Sequence, residues 1–429
     1  MIRPGRMIVI GLDGVPIEML MTLADSGAMP HTKKIIKAGA LKRLHSTIPD
    51  ISSVAWSSII TGRNPGEHGI FGFTDLVKGT YQLRFPNFWD LRARAFWEAN
   101  GGPSVIINVP STYPVKPMNG AHISGFVSVN INRAVYPPSL ISKLQTMDYR
   151  LDVDADKAQN NMRLFLDDVA ATLRSNVAAY QYLCGLIKWR SFMLVFTTTD
   201  RLLHFLWDAW EDQKHKFHGE LVDHFRAIDG VIGEITERIE SNDNILLLSD
   251  HGFERLEKDI YINRLLGDEG FLKFETGQEI LLTNISRETK AFGMDPGRIY
   301  INLEGKYPKG SVKADEKQEI LDEIKKLFNS LDADGRKVIR EIYRKDDIYS
   351  GPYIQEGPDL VLMPSPGFNL KGAIDAKKLM GNGIFTGMHS YGNAFLISGN
   401  NNIEAELGEE SSVIDAGRLI RQTAGNREA

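Results

Sequence analysis

Short apolar runs alternate with longer stretches of helical periodicity along most of this chain. The apolar runs are strand candidates: MIVIGL (7–12), PSVIINV (103–109), FMLVFTTT (192–199), NILLLS (244–249), DLVLM (359–363) and NAFLIS (393–398). Because they are apolar almost throughout, rather than alternating, they are typical of strands that are covered on both faces. The stretches between them predict helices at 15–27, 32–39, 52–62, 156–189 and 218–240. This order predicts a three-layer α/β/α sandwich with a mostly parallel central sheet.

Two regions interrupt the alternation. Residues 73–150 contain aromatic, proline-rich loops, and residues 255–385 combine a helix with short strand-like runs. The second region separates the motif SDHG (249–252) from the motif GMHS (387–390). We therefore predict a core of residues 1–254 plus 386–429, and a smaller inserted α+β cap of residues 255–385.

Composition narrows the class of protein. The chain has 429 residues, of which 42% are hydrophobic, so it can bury a large core. Its net charge of −5 argues against binding to duplex nucleic acid, which needs a positive field. A single cysteine, Cys184, permits no internal disulfide and is typical of a reducing compartment. The apolar run near the N-terminus is too short for a signal peptide or a membrane span, so we expect a cytoplasmic protein without a transmembrane segment.

Polar residues stand at the ends of several predicted strands. Asp13 follows the first strand, and Gly14 next to it permits close backbone approach. Asp200 follows the third strand, and His204 lies four residues later, which places both on one face of a helix. In open α/β sheets, ligands collect at the carboxyl ends of the strands. Each residue also has an ordinary interpretation: Asp13 and Asp200 could cap helices, and His204 could lie on the surface.

A second set of polar residues follows the same rule. Asp250 and His251 are adjacent at the end of the fourth strand, and His389 precedes the last one. Ser52 begins a predicted helix, where free N–H groups favour a phosphoryl group. The alternative is that Ser52 or Ser53 simply caps this helix. From the residues alone, both Ser52 and Ser53 are candidates for the reactive hydroxyl.

The combined set contains three aspartates and three histidines at equivalent positions of one sheet edge. Mixed carboxylate and imidazole donors suit Zn²⁺ or Mn²⁺ better than Mg²⁺, which prefers oxygen ligands. Two such ions about 3.5–4 Å apart can hold both oxygens of an in-line displacement at phosphorus. The sequence therefore predicts a two-metal site with a hydroxyl nucleophile.

These motifs resemble the alkaline phosphatase superfamily, in its type I phosphodiesterase/nucleotide pyrophosphatase branch. The resemblance rests on the LDG strand end, the hydroxyl ten positions before Gly62, the TGRNPGEHGIF turn, and the DxxxH, SDHG and GMHS patches. They occur in the family's order between residues 7 and 397.

The resemblance implies a metal-dependent phosphoric ester hydrolase. Asp13, Ser52, Asp250 and His251 would hold one divalent ion, and Asp200, His204 and His389 the other. Ser52 would attack phosphorus and carry a covalent phospho-enzyme intermediate, which water then releases. The substrate would be a small-molecule phosphate ester with a phosphodiester, pyrophosphate or phosphomonoester bond.

One departure keeps the substrate open. Eukaryotic nucleotide pyrophosphatases typically have threonine followed by Phe-Pro-Asn at the nucleophile, whereas this chain has Ser52-Ser53-Val54-Ala55. A phosphomonoesterase, or a phosphoryl transferase or mutase of the same superfamily, would use the same residues. A non-catalytic metal-binding protein is the remaining alternative. The oligomeric state is not indicated by the sequence.

Overall fold

The computed structural model describes residues 5–399 and 407–425. The chain forms two compact units. The first comprises the described residues up to Arg63, Asn87–Phe253 and those from Phe385 onward; the second comprises Asn64–Pro86 and Glu254–Ile384. The second unit thus contains most of the predicted insertion, together with a segment at 64–86 that the sequence analysis placed in the core. The role of residues 255–385 as a cap stays a prediction.

The first unit is built on an eight-stranded sheet. Its strands are β1 (Met7–Leu12), β2 (Ala40–Leu44), β3 (Ser104–Val109), β4 (Gly120–Ser124), β5 (Val135–Tyr136), β6 (Ser191–Phe196), β7 (Asn244–Leu248) and β8 (Ala394–Ser398). They lie side by side in the order β2-β8-β7-β1-β6-β3-β4-β5. The strands from β7 to β4 are parallel, whereas β8, β2 and β5 pair antiparallel at the two sides. The predicted mostly parallel sheet is confirmed.

Helices accompany this sheet, as the alternating pattern predicts. The longer ones are α1 (Ile17–Asp25), α2 (Pro30–Ala38), α3 (Ser52–Thr61), α4 (Met162–Leu186), α5 (Thr198–Glu211), α6 (His218–Thr236) and α7 (Val413–Thr423). Shorter ones span Phe96–Ala99, Ile131–Ala134, Pro138–Leu140, Ile141–Thr146 and Asp156–Asn160. All residues of β1 and β6 are buried, which fits strands covered on both faces. Across residues 5–399 and 407–425, no helix has the length and apolar character to span a bilayer.

The second unit has its own apolar core and smaller sheets. A four-stranded antiparallel sheet contains, side by side, Ala291–Met294, Arg298–Ile301, Leu360–Pro364 and Ile339–Arg344. A three-stranded sheet contains Phe368–Lys371, Lys258–Tyr261 and Met380–Gly381, and two hairpins pair Asp75–Leu76 with Leu83–Arg84 and Asp332–Ala333 with Arg336–Lys337. Its helices span Pro65–His68, Ile262–Asp268, Leu282–Asn284, Lys317–Asn329, Lys345–Ile348 and Ile354–Glu356. The predicted strand at 359–363 therefore belongs to an antiparallel sheet and not to the parallel one.

Helix α3 is unusual because all ten of its residues are buried. Its hydroxyl side chains bond within the helix: Ser57 donates to the carbonyl of Ser53 at 2.7 Å, and Thr61 to that of Ser57 at 2.6 Å. The helix ends at Gly62 in the left-handed conformation, with φ of 62°. A Cβ at Gly417 of α7 would lie 2.5 Å from the Ile59 carbonyl oxygen, so α7 packs tightly on α3. Packing on all sides holds the start of α3 in place.

The strand directions bring distant motifs to one edge of the sheet. β7, β1 and β6 are adjacent and parallel, so their carboxyl ends lie together. β8 runs antiparallel to β7, and its amino end therefore lies at the same edge. His389 lies in a short strand, Gly387–Ser390, that precedes β8. This topology explains how a histidine before a strand reaches aspartates that follow strands.

Candidate metal centre

The structure brings all seven predicted residues together in the first unit. Asp13 directly follows β1, and Asp250 and His251 follow β7 after one residue. Asp200 lies in the first turn of α5, and His204 lies one turn later. His389 lies in the short strand before β8, and Ser52 is the first residue of α3.

The ordinary interpretations of three residues do not hold. The N-cap of α3 is Ile51, and no side chain caps that helix, so neither Ser52 nor Ser53 serves as the cap. The N-cap of α5 is Thr197, three residues before Asp200. The N-cap of α1 is Pro16, so Asp13 does not cap that helix. Helix capping therefore does not explain these polar residues.

One group of donors surrounds the imidazole of His251. Its Nε2 lies 3.1 Å from the Ser52 hydroxyl oxygen, 3.3 Å from Asp250 Oδ2 and 3.7 Å from Asp13 Oδ1. Donor atoms of the three ionisable residues all lie within 4.8 Å of one another. All four side chains are buried. This spacing suits a single cation held by four protein atoms.

A second group surrounds His389. Its Nε2 lies 3.2 Å from Asp200 Oδ1 and 3.1 Å from His204 Nε2, and the latter lies 3.4 Å from Asp200 Oδ1. The rings of His251 and His389 stack with centroids 3.7 Å apart. Donor atoms of Asp200, His251 and His389 also lie within 4.8 Å of one another. His251 therefore belongs to both donor groups. The resemblance implied two separate sets of ligands, with His251 in only one of them.

Each imidazole is held by the main chain through its Nδ1 atom. His204 Nδ1 lies 3.2 Å from the carbonyl oxygen of Gly387, and His251 Nδ1 lies 3.0 Å from that of Gly252. His389 Nδ1 lies 3.0 Å from the carbonyl oxygen of Asp50. A carbonyl can only accept, so Nδ1 carries the proton and Nε2 of the neutral ring has a free lone pair. In their neutral forms the three rings direct Nε2 lone pairs at the same small space, which is the arrangement that a metal ion requires. Without a metal, a protonated Nε2 of His389 can instead donate to Asp200 Oδ1.

In two of the aspartates, one carboxylate oxygen accepts a hydrogen bond and the other has no hydrogen-bond partner. Asp13 Oδ2 accepts a hydrogen bond from the indole Nε1 of Trp56 at 3.3 Å, and Asp250 Oδ1 accepts one from the backbone N–H of Gly14 at 3.1 Å. Their other oxygens, Asp13 Oδ1 and Asp250 Oδ2, are buried and have no hydrogen-bond partner. A buried carboxylate oxygen without a partner is costly. A divalent cation between them would remove that cost, so the residues present fit a metal.

The electrostatics separate the two groups. Burial, and then the charges of Asp250 and Asp200, raise the pKa of Asp13 well above its ordinary value. Burial raises the pKa of Asp250 to about 7. Burial acts on Asp200 in the same direction, but His204 and the hydrogen bond from His389 outweigh it and lower its pKa. The ionised carboxylates of Asp13 and Asp250 therefore lack a compensating positive charge. The ionised carboxylate of Asp200 is instead stabilised by the histidines beside it.

An aromatic side chain packs against the histidines. The ring of Phe253 meets His204 edge-on at 4.8 Å and His389 edge-on at 5.4 Å. A Cβ at Gly14, whose φ is +71°, would lie 2.8 Å from this ring. Phe253 and Trp56 are contacts of the site that were not predicted from the sequence. The signal for Trp56 was its position four residues after Ser52, on the same face of a helix.

The sheet topology and the grouped Asp and His donors at its carboxyl edge define an alkaline phosphatase-like fold. The chain belongs to the type I phosphodiesterase/nucleotide pyrophosphatase family, whose family match covers residues 7–392. The predicted family and fold are confirmed. Membership of this family assigns the chain to the hydrolases that act on phosphoric ester or pyrophosphate bonds.

Several solved structures share this fold. Phosphonoacetate hydrolase from Sinorhizobium meliloti 1021, in complex with phosphonoformate, is 16% identical with a TM-score of 0.63, over 98% of this chain and 96% of that chain. Murine ectonucleotide pyrophosphatase/phosphodiesterase 5, in an inactive form with AMP, is 13% identical with a TM-score of 0.55, over 98% and 95%. The human protein gives the same identity and TM-score. No curated protein sequence matches significantly.

Proposed function

We propose that this protein is a two-metal-dependent phosphoric ester hydrolase that works through a phosphoserine intermediate on Ser52. One observation carries the proposal: the Ser52 hydroxyl oxygen lies 3.1 Å from His251 Nε2, in the donor group of Asp13 and Asp250. The proposed substrate is a small-molecule phosphodiester or pyrophosphate, in keeping with the family. A phosphomonoester is the alternative substrate.

Ser52 would act as the nucleophile. Its hydroxyl oxygen would attack phosphorus and lose its proton, and the bond between phosphorus and the leaving oxygen would break. The leaving alcohol or phosphate would take up a proton, and the phosphoryl group would become bound to Ser52. Water then attacks the same phosphorus and the Ser52 hydroxyl is restored, so a phosphate or phosphomonoester leaves. The N–H groups of Val54 and Ala55 donate to the carbonyl of Ile51, whereas those of Ser52 and Ser53 have no carbonyl acceptor inside α3 and can donate to phosphoryl oxygens.

The two donor groups would hold two divalent ions, most favourably Zn²⁺ with Mn²⁺ as the alternative. The proposed ligands are Asp13, Ser52, Asp250 and His251 for one ion and Asp200, His204 and His389 for the other. When bound, such ions supply positive charge for the attacking oxygen and for the charge that develops on the phosphoryl group. The main-chain anchors of the imidazoles keep Nε2 of each ring directed at this space.

Replacing Ser52 tests the proposal. Ser52→Ala should reduce turnover of bis-p-nitrophenyl phosphate and p-nitrophenyl phosphate by about 10³-fold or more, because no other step can start without the nucleophile. Zinc content, measured by elemental analysis, should stay near the wild-type value because three ligands of that ion remain. Acid quenching of wild-type protein during turnover of p-nitrophenyl phosphate should trap a phosphoserine in the peptide that contains Ser52.

Ser53→Ala is the matched control, because Ser53 is adjacent, buried and lacks a hydrogen-bond partner for its hydroxyl oxygen. Full activity in Ser52→Ala would refute the nucleophile assignment. Phosphorylation of an added alcohol, instead of release of phosphate, would favour a phosphoryl transferase. Absence of turnover on every ester, with metal bound, would favour a non-catalytic metal-binding protein. The cytoplasmic location stays a prediction.

A further inference from the structure

Trp56 is a fully buried side chain of α3 with a polar contact. Its indole Nε1 donates a hydrogen bond to Asp13 Oδ2 at 3.3 Å. A buried indole N–H needs an acceptor, and an indole has no lone pair with which to bind a cation itself. Trp56 therefore contacts the candidate site through a carboxylate and not as a ligand.

The sheet provides a dedicated space for this ring. Gly11 lies in β1, two residues before Asp13, which directly follows that strand. A Cβ at Gly11 would lie 2.4 Å from Cη2 of Trp56 and 3.0 Å from a methyl group of Val195. Any larger residue at position 11 would push the indole away from Asp13.

The hydrogen bond fixes which oxygen of Asp13 faces the donor group. Oδ2 is occupied by the indole, whereas Oδ1 is buried without a hydrogen-bond partner and lies 3.7 Å from His251 Nε2. A carboxylate that is free to rotate could offer either oxygen or both. Ser52 and Trp56 are four residues apart in α3, so one rigid helix carries both the hydroxyl and the group that orients Asp13.

We propose that Trp56 is a positioning residue that holds Asp13 so that Oδ1 alone is presented to a divalent cation. This inference rests on the proposed two-metal function. Partners of this kind typically contribute about 10- to 100-fold to metal affinity. A purely packing role would instead leave metal affinity unchanged when an aromatic ring of similar shape remains.

The test compares Trp56→Phe, which keeps a ring and removes the N–H donor, with Trp207→Phe. Trp207 is the control because its indole N–H also donates to a carboxylate, that of Glu211 at 2.7 Å. Neither Trp207 nor Glu211 is a candidate metal ligand. Zn²⁺ affinity of chelator-treated protein is measured by competition with a chromophoric chelator. We expect Trp56→Phe to weaken one site by about 10- to 100-fold and Trp207→Phe to match wild type.

Zn²⁺ affinity of Gly11→Ala gives a second test, because this variant retains the indole N–H but displaces the indole ring. It should weaken the same site, and it remains informative if Trp56→Phe does not fold. Wild-type affinity in either folded variant would overturn the role of Trp56 and leave the proposed function intact. A wild-type protein that binds no divalent ion would overturn both proposals, and this outcome differs from a loss confined to the variants.

Discussion

Neutralising Asp250 should stabilise the metal-free protein although it weakens the metal site. Asp250 and Asp13 are both buried, and each has one oxygen without a hydrogen-bond partner. Burial raises the pKa of Asp250 from 3.8 to about 7. In Asp250→Asn the amide oxygen can still accept from the N–H of Gly14, but the negative charge beside Asp13 is gone.

The size of the expected stabilisation follows from the raised pKa of Asp250. The folded protein holds a proton on Asp250 that the unfolded chain releases above pH 3.8, so stability is lost as the pH rises from about 4 to about 7. A difference of roughly three pKa units corresponds to about 4 kcal/mol in the free energy of unfolding. Without metal, we expect Asp250→Asn to exceed the wild type by up to about 4 kcal/mol at pH 8. Near pH 4 the two proteins should differ little.

Urea unfolding of chelator-treated proteins at pH 4.5 and pH 8 measures this difference. Asp243→Asn is the matched control, because Asp243 is equally buried but is paired with Arg6 at 2.5 Å. Loss of that charge-assisted contact should destabilise the protein by about 2 kcal/mol at pH 8. Zn²⁺ at about 100 times its Kd should stabilise the wild type by about 2.7 kcal/mol and Asp250→Asn by much less. An Asp250→Asn protein that is less stable than metal-free wild type at pH 8 would refute the reasoning.

Three further predictions use the same measurements. Asp200→Asn should destabilise the metal-free protein by about 2 kcal/mol in urea unfolding at pH 8, opposite in sign to Asp250→Asn, because the hydrogen bond from His389 favours the Asp200 carboxylate. His122 is buried with no hydrogen-bond partner on either ring nitrogen, and burial lowers its pKa from 6.5 to about 3, so stability is lost as the pH falls through this window. His122→Leu should therefore remove about 2 kcal/mol of the difference in unfolding free energy between pH 8 and pH 5. Chelation should abolish ester hydrolysis, and added Zn²⁺ or Mn²⁺ should restore it; turnover that survives chelation would contradict the metal requirement.

The strands of the large sheet could be predicted because burial on both faces leaves a continuous apolar run. The run at 7–12 matches β1 residue for residue, and the run at 244–249 contains β7. The pairing partner of each strand, and the sheet to which it belongs, could not be predicted in this way. Residues 359–363 are as apolar as a central strand, yet they lie in an antiparallel sheet with a separate core. An apolar run shows that a strand is buried, but not in which core it lies.

The candidate site could be predicted to the level of its donor residues, because Asp13, Asp250 and His251 stand directly at strand ends. Their mutual geometry could not, because it depends on contacts between remote parts of the chain. His389 Nδ1 contacts the carbonyl oxygen of Asp50, which is 339 residues away. The position of His251 between both donor groups also depends on how three strand ends and one antiparallel strand meet.

The hydrogen bonds that hold the candidate ligands in place, here called anchors, differ in whether they depend on the identity of a side chain. The three imidazoles are held by main-chain carbonyls, and Asp250 is held by the main-chain N–H of Gly14. Any residue can supply a carbonyl, so substitution of the Asp50 side chain would leave the anchor of His389 in place. The anchor of Asp13 is different, because it is a side chain and it requires both the indole of Trp56 and the absence of a Cβ at Gly11. Among these anchors, the pair of Gly11 and Trp56 is therefore the one that a single substitution can remove without touching a metal ligand or the backbone that holds it.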